Sequence, residues 1–68
     1  MTPNGAAIRA IREARELGLN RLAHLIGKSP GYLSRVETGQ RGAADGTLHR
    51  IAEELHVPLA AILKGEPP

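Results

Sequence analysis

Cysteine, tryptophan and phenylalanine are all absent from this chain of 68 residues, and tyrosine occurs once. Without cysteine there can be neither a disulfide framework nor a thiolate metal site, so the fold must be stabilised by packing and helix capping. A single aromatic side chain is too few for a platform that stacks the bases of single-stranded nucleic acid, because such a platform presents several rings.

Long apolar runs and a secretory signal are missing as well. The longest apolar stretch, residues 57 to 63, has seven residues, whereas a membrane span needs about 20. The N-terminus has none of the three parts of a secretory signal, which are a basic segment, an apolar core and a cleavage site. We therefore expect a cytoplasmic protein without a membrane contact. The length predicts one domain over residues 1–68, with its core at 5–64 and a frayed tail at 65–68.

Strong net charge is also lacking, since nine Lys and Arg against seven Asp and Glu leave a formal charge of +2. Many nucleic-acid-binding proteins are more basic. The distribution is more informative than the sum, because residues 20 to 42 contain four basic residues and one acidic residue, Glu37. If Glu37 is paired internally, this middle segment is the basic face. Its cations are Arg21, Lys28, Arg35 and Arg41.

No set of residues indicates an enzyme or a metal site. Two pairs of glutamates, at 13 and 16 and at 53 and 54, come without a cleft or a partner base, so they are interpreted as solvated helix faces. The histidines are scattered, at 24, 49 and 56, and no phosphate loop, nucleophile elbow or zinc motif is present. We predict a protein that is not an enzyme, with no catalytic residue, no cofactor and no metal.

The apolar residues recur at helical spacing, and glycine or proline separates the segments. This pattern predicts an all-α chain of five short helices and no strands. The first helix starts at a cap, Asn4 or Gly5, and ends near residue 16, and the last covers 59 to 63 after Pro58. Before the fourth helix, Asp45 is a cap or a first-turn acid. The residues predicted to face inward are Ala7, Ile8, Ile11, Arg15, Leu17, Leu22, Ala23, Ile26, Leu33, Val36, Leu48, Ile51, Ala52 and Leu55.

A very short turn joins the second and third helices. The second helix covers roughly 19 to 26 and stops at Gly27, which suits a left-handed C-cap. Ser29 is a candidate N-cap, Pro30 suits the first position of the third helix, and Gly39 closes that helix. Such a pair forms a helix-turn-helix, whose second helix fits a DNA major groove about 12 Å wide. Any helical bundle also needs tight corners between its helices. This geometry alone therefore fits either a DNA-binding helix-turn-helix or an ordinary corner of a bundle.

Short residue patterns run along the chain from residue 8 to residue 63. They are Ile8-Arg9-x-Ile11-Arg12, Leu22-Ala23-x-x-x-Gly27, Ser29-x-x-Tyr32-Leu33-Ser34-Arg35-Val36-Glu37-x-Gly39, Leu48-x-x-Ile51-Ala52-x-x-Leu55-x-Val57, and a closing segment from Leu59 to Leu63. Each pattern is weak alone, but together they resemble the Cro and phage-repressor type of helix-turn-helix proteins, the XRE family. The resemblance implies a lambda-repressor-like fold and a sequence-specific transcriptional regulator of the repressor type that binds double-stranded DNA. Such a protein is expected in the cytoplasm, and at the nucleoid when it is bound to DNA.

The resemblance also implies roles for individual residues, with the third helix, about 30–38, lying in the major groove. The implied base-contacting residues are Pro30, Gly31, Ser34 and Arg35. Arg35 is the best candidate, because a guanidinium can donate two parallel bonds to guanine. The implied phosphate-contacting residues are Asn20, Arg21, Lys28, Ser29, Tyr32, Gln40 and Arg41. For Tyr32, packing at the base of the helix and a hydrogen bond to phosphate both stay open.

Arg12 and Glu37 resemble an internal ion pair of the family, which ties the first helix to the end of the third. The chain departs from the family at Gly18, where a Ser or Thr cap is usual, and at Leu19, where a polar residue is usual. Gly31 also removes a side chain where relatives often contact a base, so few direct base contacts are expected.

Two questions about partners stay open at the level of sequence. The resemblance implies a homodimer on an inverted-repeat operator, and the apolar residues Leu59, Ile62 and Leu63 either form the dimer surface or complete the core. The alternative function is an antitoxin-like or adaptor module that binds a protein, through the helix-turn-helix surface or through Leu19, Leu25 and the C-terminal apolar residues.

Overall fold

The computed structural model describes residues 1–65. Within them, four α-helices are followed by one 3₁₀ helix, so the all-α prediction is confirmed, with an isolated bridge between Pro3 and Leu63 as the single strand-like pairing of the described residues. The helices are α1 (Gly5–Ala14), α2 (Leu19–Leu25), α3 (Pro30–Thr38), α4 (Asp45–Leu55) and the 3₁₀ helix (Leu59–Ile62). Most of the predicted tail, residues 66–68, lies outside the described residues.

The helix ends follow the capping residues of the sequence. The Asn4 side chain accepts a hydrogen bond from the Ala7 amide at 3.0 Å, which selects Asn4 as the cap of α1. The Ser29 hydroxyl accepts from the Tyr32 amide at 3.1 Å, with Pro30 in the first turn of α3. Gly27 and Gly39 both have positive φ, as the two predicted stop positions require. These caps fix where α3 begins and ends.

The prediction of five helices is corrected at the C-terminus. The last helix is a 3₁₀ helix of four residues, in which the Ala61 amide donates to the Pro58 carbonyl at 3.0 Å. Four residues after a proline are too few for consecutive α-helical hydrogen bonds, whereas one 3₁₀ turn needs only three-residue spacing. At the fourth helix, Asp45 is a first-turn acid and not the cap, which is Ala44.

A continuous apolar core joins all five elements. Eleven hydrophobic residues are buried in it: Ile8, Leu22, Ala23, Ile26, Leu33, Val36, Leu48, Ile51, Ala52, Leu55 and Ile62. Ten of them were predicted to face inward, and the predicted Ile11 and Leu17 pack against the cluster as partly buried residues. Ala7 is half-buried, whereas the prediction for Arg15 is wrong, because its guanidinium lies at the surface, where Nε donates to the Leu55 carbonyl at 2.9 Å. The core therefore packs against one face of α2 and one face of α3.

Ile62 is fully buried, at 0% exposure, so it completes the core and cannot belong to a dimer surface. Leu59 and Leu63 are half-buried against the same cluster. The physical reason is the 3₁₀ turn, which directs Ile62 inward, while backbone hydrogen bonds join the segments at 2–4 and 62–64. The Asn4 amide donates to the Ile62 carbonyl at 2.8 Å, and the Lys64 amide donates to the Thr2 carbonyl at 2.9 Å.

Candidate nucleic-acid interface

Helix α3 has one buried face and one exposed face. It packs chiefly against α1 and α2 and buries Leu33, Val36 and Glu37. Pro30, Gly31 and Arg35 are exposed, and Ser34 is half-buried. The four residues predicted to contact bases thus share a helix whose opposite side is held by the core.

The close packing of α3 against α1 depends on a glycine. A Cβ atom built on Gly5 would overlap the carbonyl groups of Val36 and Glu37. The first turn of α1 therefore lies directly on the last turn of α3. Any side chain at residue 5 would push the two helices apart.

A buried ion pair makes a second connection between α1 and α3. Arg12 Nε donates to Glu37 Oε2 at 2.7 Å and Arg12 Nη2 donates to Oε1 at 3.1 Å, while Nη1 donates to the Leu17 carbonyl at 2.9 Å. The side chains are only 11% and 4% exposed. The predicted Arg12–Glu37 pair is confirmed as a bidentate contact.

The hydrogen bonds to Glu37 raise the pKa of the Arg12 guanidinium above its usual range, and the charges of Glu37 and Glu13 act in the same direction against burial. A group whose pKa is raised on folding stabilises the fold below its unfolded pKa, and it loses that contribution only as the pH rises through the folded value. Because both values lie far above neutrality, Arg12 stays charged at neutral pH.

With Glu37 turned inward, the cations of the middle segment face solvent. Arg21, Lys28, Arg35 and Arg41 are exposed, and none of them forms an ion pair with an acidic residue of the described part, 1–65. By contrast, Arg9 and Arg50 have glutamate partners four residues along their own helices. The four cations are thus exposed and free of acidic partners within residues 1–65, as a basic face between residues 20 and 42 requires.

The remaining polar candidates lie on the elements that border α3. Asn20 is exposed in the first turn of α2, Ser29 is exposed in the turn before α3, and Gln40 is exposed in the loop after it. The Gln40 amide donates to the Arg35 carbonyl at 2.8 Å, which folds this loop back along the helix. Exposed donors are thus available before, within and after α3.

Tyr32 takes part in a contact that the sequence did not reveal. Its ring is half-buried against the core, with the Lys28 ammonium nitrogen 5.2 Å and the Arg41 guanidinium carbon 4.2 Å from the ring centroid. Packing of the ring was one of the two alternatives left open by the sequence. Spacing along the chain gives no signal for the contact with Arg41, because that residue follows the end of the helix.

The apolar residues considered for a protein partner are less available than the sequence suggested. Leu19 is half-buried and packs against the core, and Leu25 is half-buried. Met1 is the one large hydrophobic residue of the described part that is exposed.

No group of His, Asp and Glu residues within 1–65 is arranged to hold a metal ion. In the same range, none of the helices has the length and apolar character of a membrane span.

A family model described as helix-turn-helix matches residues 8–62. The chain belongs to the helix-turn-helix family. The motifs that resemble the Cro and phage-repressor type therefore identify the family correctly. The match includes the Arg12–Glu37 pair, the turn between α2 and α3, and the 3₁₀ helix.

Relatives of this helix-turn-helix chain include proteins named as regulators. The HTH-type transcriptional repressor RghR of Bacillus subtilis (strain 168) is 38% identical over 60 residues, which cover 87% of this chain and 44% of RghR. This chain thus spans less than half the length of that relative. The crystal structure of the clp gene regulator ClgR from Corynebacterium glutamicum is 34% identical, with a TM-score of 0.80 over 82% of this chain and 60% of ClgR.

A third similarity concerns the fold alone. The P22 c2 repressor, solved in complex with a synthetic operator, is 23% identical, with a TM-score of 0.85 over 97% of this chain and 100% of that protein. The lambda-repressor-like architecture predicted from the sequence is confirmed.

Proposed function

We propose that this helix-turn-helix domain is a sequence-specific, double-stranded-DNA-binding transcriptional regulator of the repressor type, not an enzyme, that acts on DNA in the cytoplasm. The observation that carries the proposal is the exposed face of α3, with Pro30, Gly31 and Arg35 open to solvent. Four exposed cations without acidic partners in residues 1–65 accompany this face. The names of RghR and ClgR, a repressor and a gene regulator, agree with this function.

Base recognition is assigned to α3. Arg35 is exposed and can donate two parallel bonds to the O6 and N7 atoms of guanine. Pro30 offers an apolar contact to a thymine methyl group, and Ser34 offers a hydroxyl. A Cβ at Gly31 would have only the Ser29 hydroxyl near it, at 4.0 Å, so the backbone there is open to close approach by a base edge.

Phosphate contacts are assigned to the polar residues around α3. Lys28 and Arg41 are the strongest candidates, because each carries an exposed positive charge close to the helix. Such contacts fix the orientation of the protein on the duplex and carry no sequence information. The other assigned residues are Asn20, Arg21, Ser29 and Gln40.

The proposal includes a homodimer on an inverted repeat. One α3 helix covers only a few base pairs, so useful specificity requires two half-sites about one helical turn apart. Because Ile62 is in the core, the dimer surface must use other residues, and Leu59 and Leu63 retain only part of their surface.

The test is a selection of bound sequences from a random duplex pool, followed by binding of the selected duplex and of a random one. Arg35→Ala should weaken binding to the selected duplex by about 1 to 3 kcal/mol and affect the random duplex less. Arg41→Ala should weaken both alike and lower the salt slope by about one unit. Equal losses on both duplexes for Arg35→Ala would remove Arg35 as a base-contacting residue, and no binding to any duplex at low salt would favour the adaptor alternative.

A further inference from the structure

Two cations of the interface meet at a single aromatic ring. The ring of Tyr32 packs against the core from α3, with Lys28 Nζ at 5.2 Å and Arg41 Cζ at 4.2 Å from its centroid. Both distances lie within the range of about 6 Å in which a cation is attracted to an aromatic face. Lys28 precedes α3 and Arg41 follows it, so the ring connects two separate loops.

The backbone brings Arg41 to this ring. Gly39 adopts a left-handed conformation with φ 81°, and the chain then turns back along α3. The Arg41 amide donates to the Arg35 carbonyl at 3.3 Å, and Arg41 Nε donates to the Gly42 carbonyl at 3.1 Å. Both the backbone and the guanidinium of Arg41 are therefore oriented before any ligand binds.

A pair of cations held in this way favours an anion. Like charges that share one ring repel each other, and neither Lys28 nor Arg41 has an acidic partner among residues 1–65. An anion between them removes the repulsion. Side chains that are already ordered also lose less conformational freedom on binding. The backbone of double-stranded DNA supplies closely spaced phosphate anions.

We infer that Tyr32 is a positioning residue, whose ring holds Lys28 and Arg41 as a preformed pair for the phosphate backbone of DNA. This inference rests on the proposed function. It differs from a direct hydrogen bond between the Tyr32 hydroxyl and a phosphate, because here the ring acts through its two neighbours. Phenylalanine can replace tyrosine in this role, and leucine cannot.

The first experiment examines the cluster without DNA. Tyr32 is the only tyrosine of a chain without phenylalanine or tryptophan. An upfield ring-current shift of the Arg41 and Lys28 side-chain protons in NMR spectra, together with NOEs from the Tyr32 ring protons to them, therefore identifies this ring and not a histidine imidazole. We expect this shift in the wild type and in Tyr32→Phe. Random-coil values in the wild type would overturn the inference, and this measurement needs no substitution at residue 32.

The second experiment measures binding to a random-sequence duplex at several salt concentrations, under conditions where circular dichroism shows every variant folded. Tyr32→Leu should raise Kd roughly three- to tenfold, as expected when ordered side chains become free, whereas Tyr32→Phe should stay within about twofold of the wild type. An equal loss in Tyr32→Phe and Tyr32→Leu would assign the effect to the hydroxyl and overturn the inference.

A double-mutant cycle tests the coupling directly. Arg41→Ala should cost less in the Tyr32→Leu background than in the wild type, because the ring no longer positions the guanidinium. The control is Arg21→Ala, an exposed cation in α2 that does not lie over the ring, and its effect should be the same in both backgrounds. Additive effects of Tyr32→Leu and Arg41→Ala would contradict the positioning role while leaving the proposed function intact. A wild type that binds no duplex at low salt would contradict the proposed function itself.

Discussion

At the scale of single residues, the ion pair between Arg12 and Glu37 decides which charges reach the surface. Glu37 is the one acidic residue between residues 20 and 42, and its carboxylate is bound on both oxygens by Arg12. If it pointed to solvent, it would lie on the helix that carries Arg35 and would repel phosphate. The pair therefore serves the fold and the basic face together.

Glu37→Ala should lower the free energy of unfolding by about 3 to 5 kcal/mol, because it leaves a buried guanidinium without its partner. Chemical denaturation measures the loss. The matched control is Glu13→Ala, which removes the exposed partner of Arg9 and should cost only about 0.5 kcal/mol or less. If both variants unfold at the same denaturant concentration as the wild type, the structural role of the Arg12–Glu37 pair is wrong.

At the scale of elements, two glycines in the first turns of helices have opposite surroundings. A Cβ at Gly5 of α1 would overlap the carbonyls at the end of α3, whereas a Cβ at Gly31 of α3 would meet nothing nearer than the Ser29 hydroxyl at 4.0 Å. Alanine is the better helix former in both places. A comparison of alanine substitutions at the two sites therefore separates the effect of packing on stability from the effect of helix propensity.

We expect Gly31→Ala to stabilise the domain by about 0.5 kcal/mol, since open space accepts the methyl group. Gly5→Ala should destabilise it by about 1 to 3 kcal/mol, because α1 must shift away from α3. Thermal denaturation of the two variants beside the wild type gives both values. Destabilisation of equal size at the two positions would contradict the close contact between α1 and α3.

Most elements could be predicted because their signals are local. A cap such as Ser29 or a stop such as Gly39 acts within one turn, and apolar residues at helical spacing identify a buried face such as that of α4. The inward direction of Ile62 and the contact of Arg41 with Tyr32 could not be predicted in this way. Both depend on where the chain turns after a helix has ended, at Pro58 and at Gly39, and residue spacing carries no information about that direction.

At the scale of the whole molecule, the segments at 2–4 and 62–64 close the core. The backbone bonds between residues 2 and 64 and between residues 4 and 62 hold the N-terminal segment against the 3₁₀ helix, and Ile62 fills the space beneath. A chain of this size has a small core, so each buried side chain contributes a large share of the free energy of unfolding.

Ile62→Ala should therefore cost about 2 to 5 kcal/mol of unfolding free energy, as a buried large-to-small substitution does. The exposed neighbour Ala61 provides the control, since Ala61→Ser should change stability by about 0.5 kcal/mol or less. Sedimentation of folded Ile62→Ala should give the same oligomeric state as the wild type. If Ile62→Ala kept its stability but changed its oligomeric state, the result would show that Ile62 lies in a dimer surface and not in the core.

We propose above all that the exposed side of α3 enters the major groove of DNA. The most direct measurement is an NMR titration of isotope-labelled protein with a selected duplex, which follows every backbone amide. We predict the largest shift changes at residues 28 to 35 and at Arg41, with small changes on the outer side of α4 at His49 and Glu53. Largest changes on α4, with α3 unaffected, would contradict the docking of α3 in the major groove.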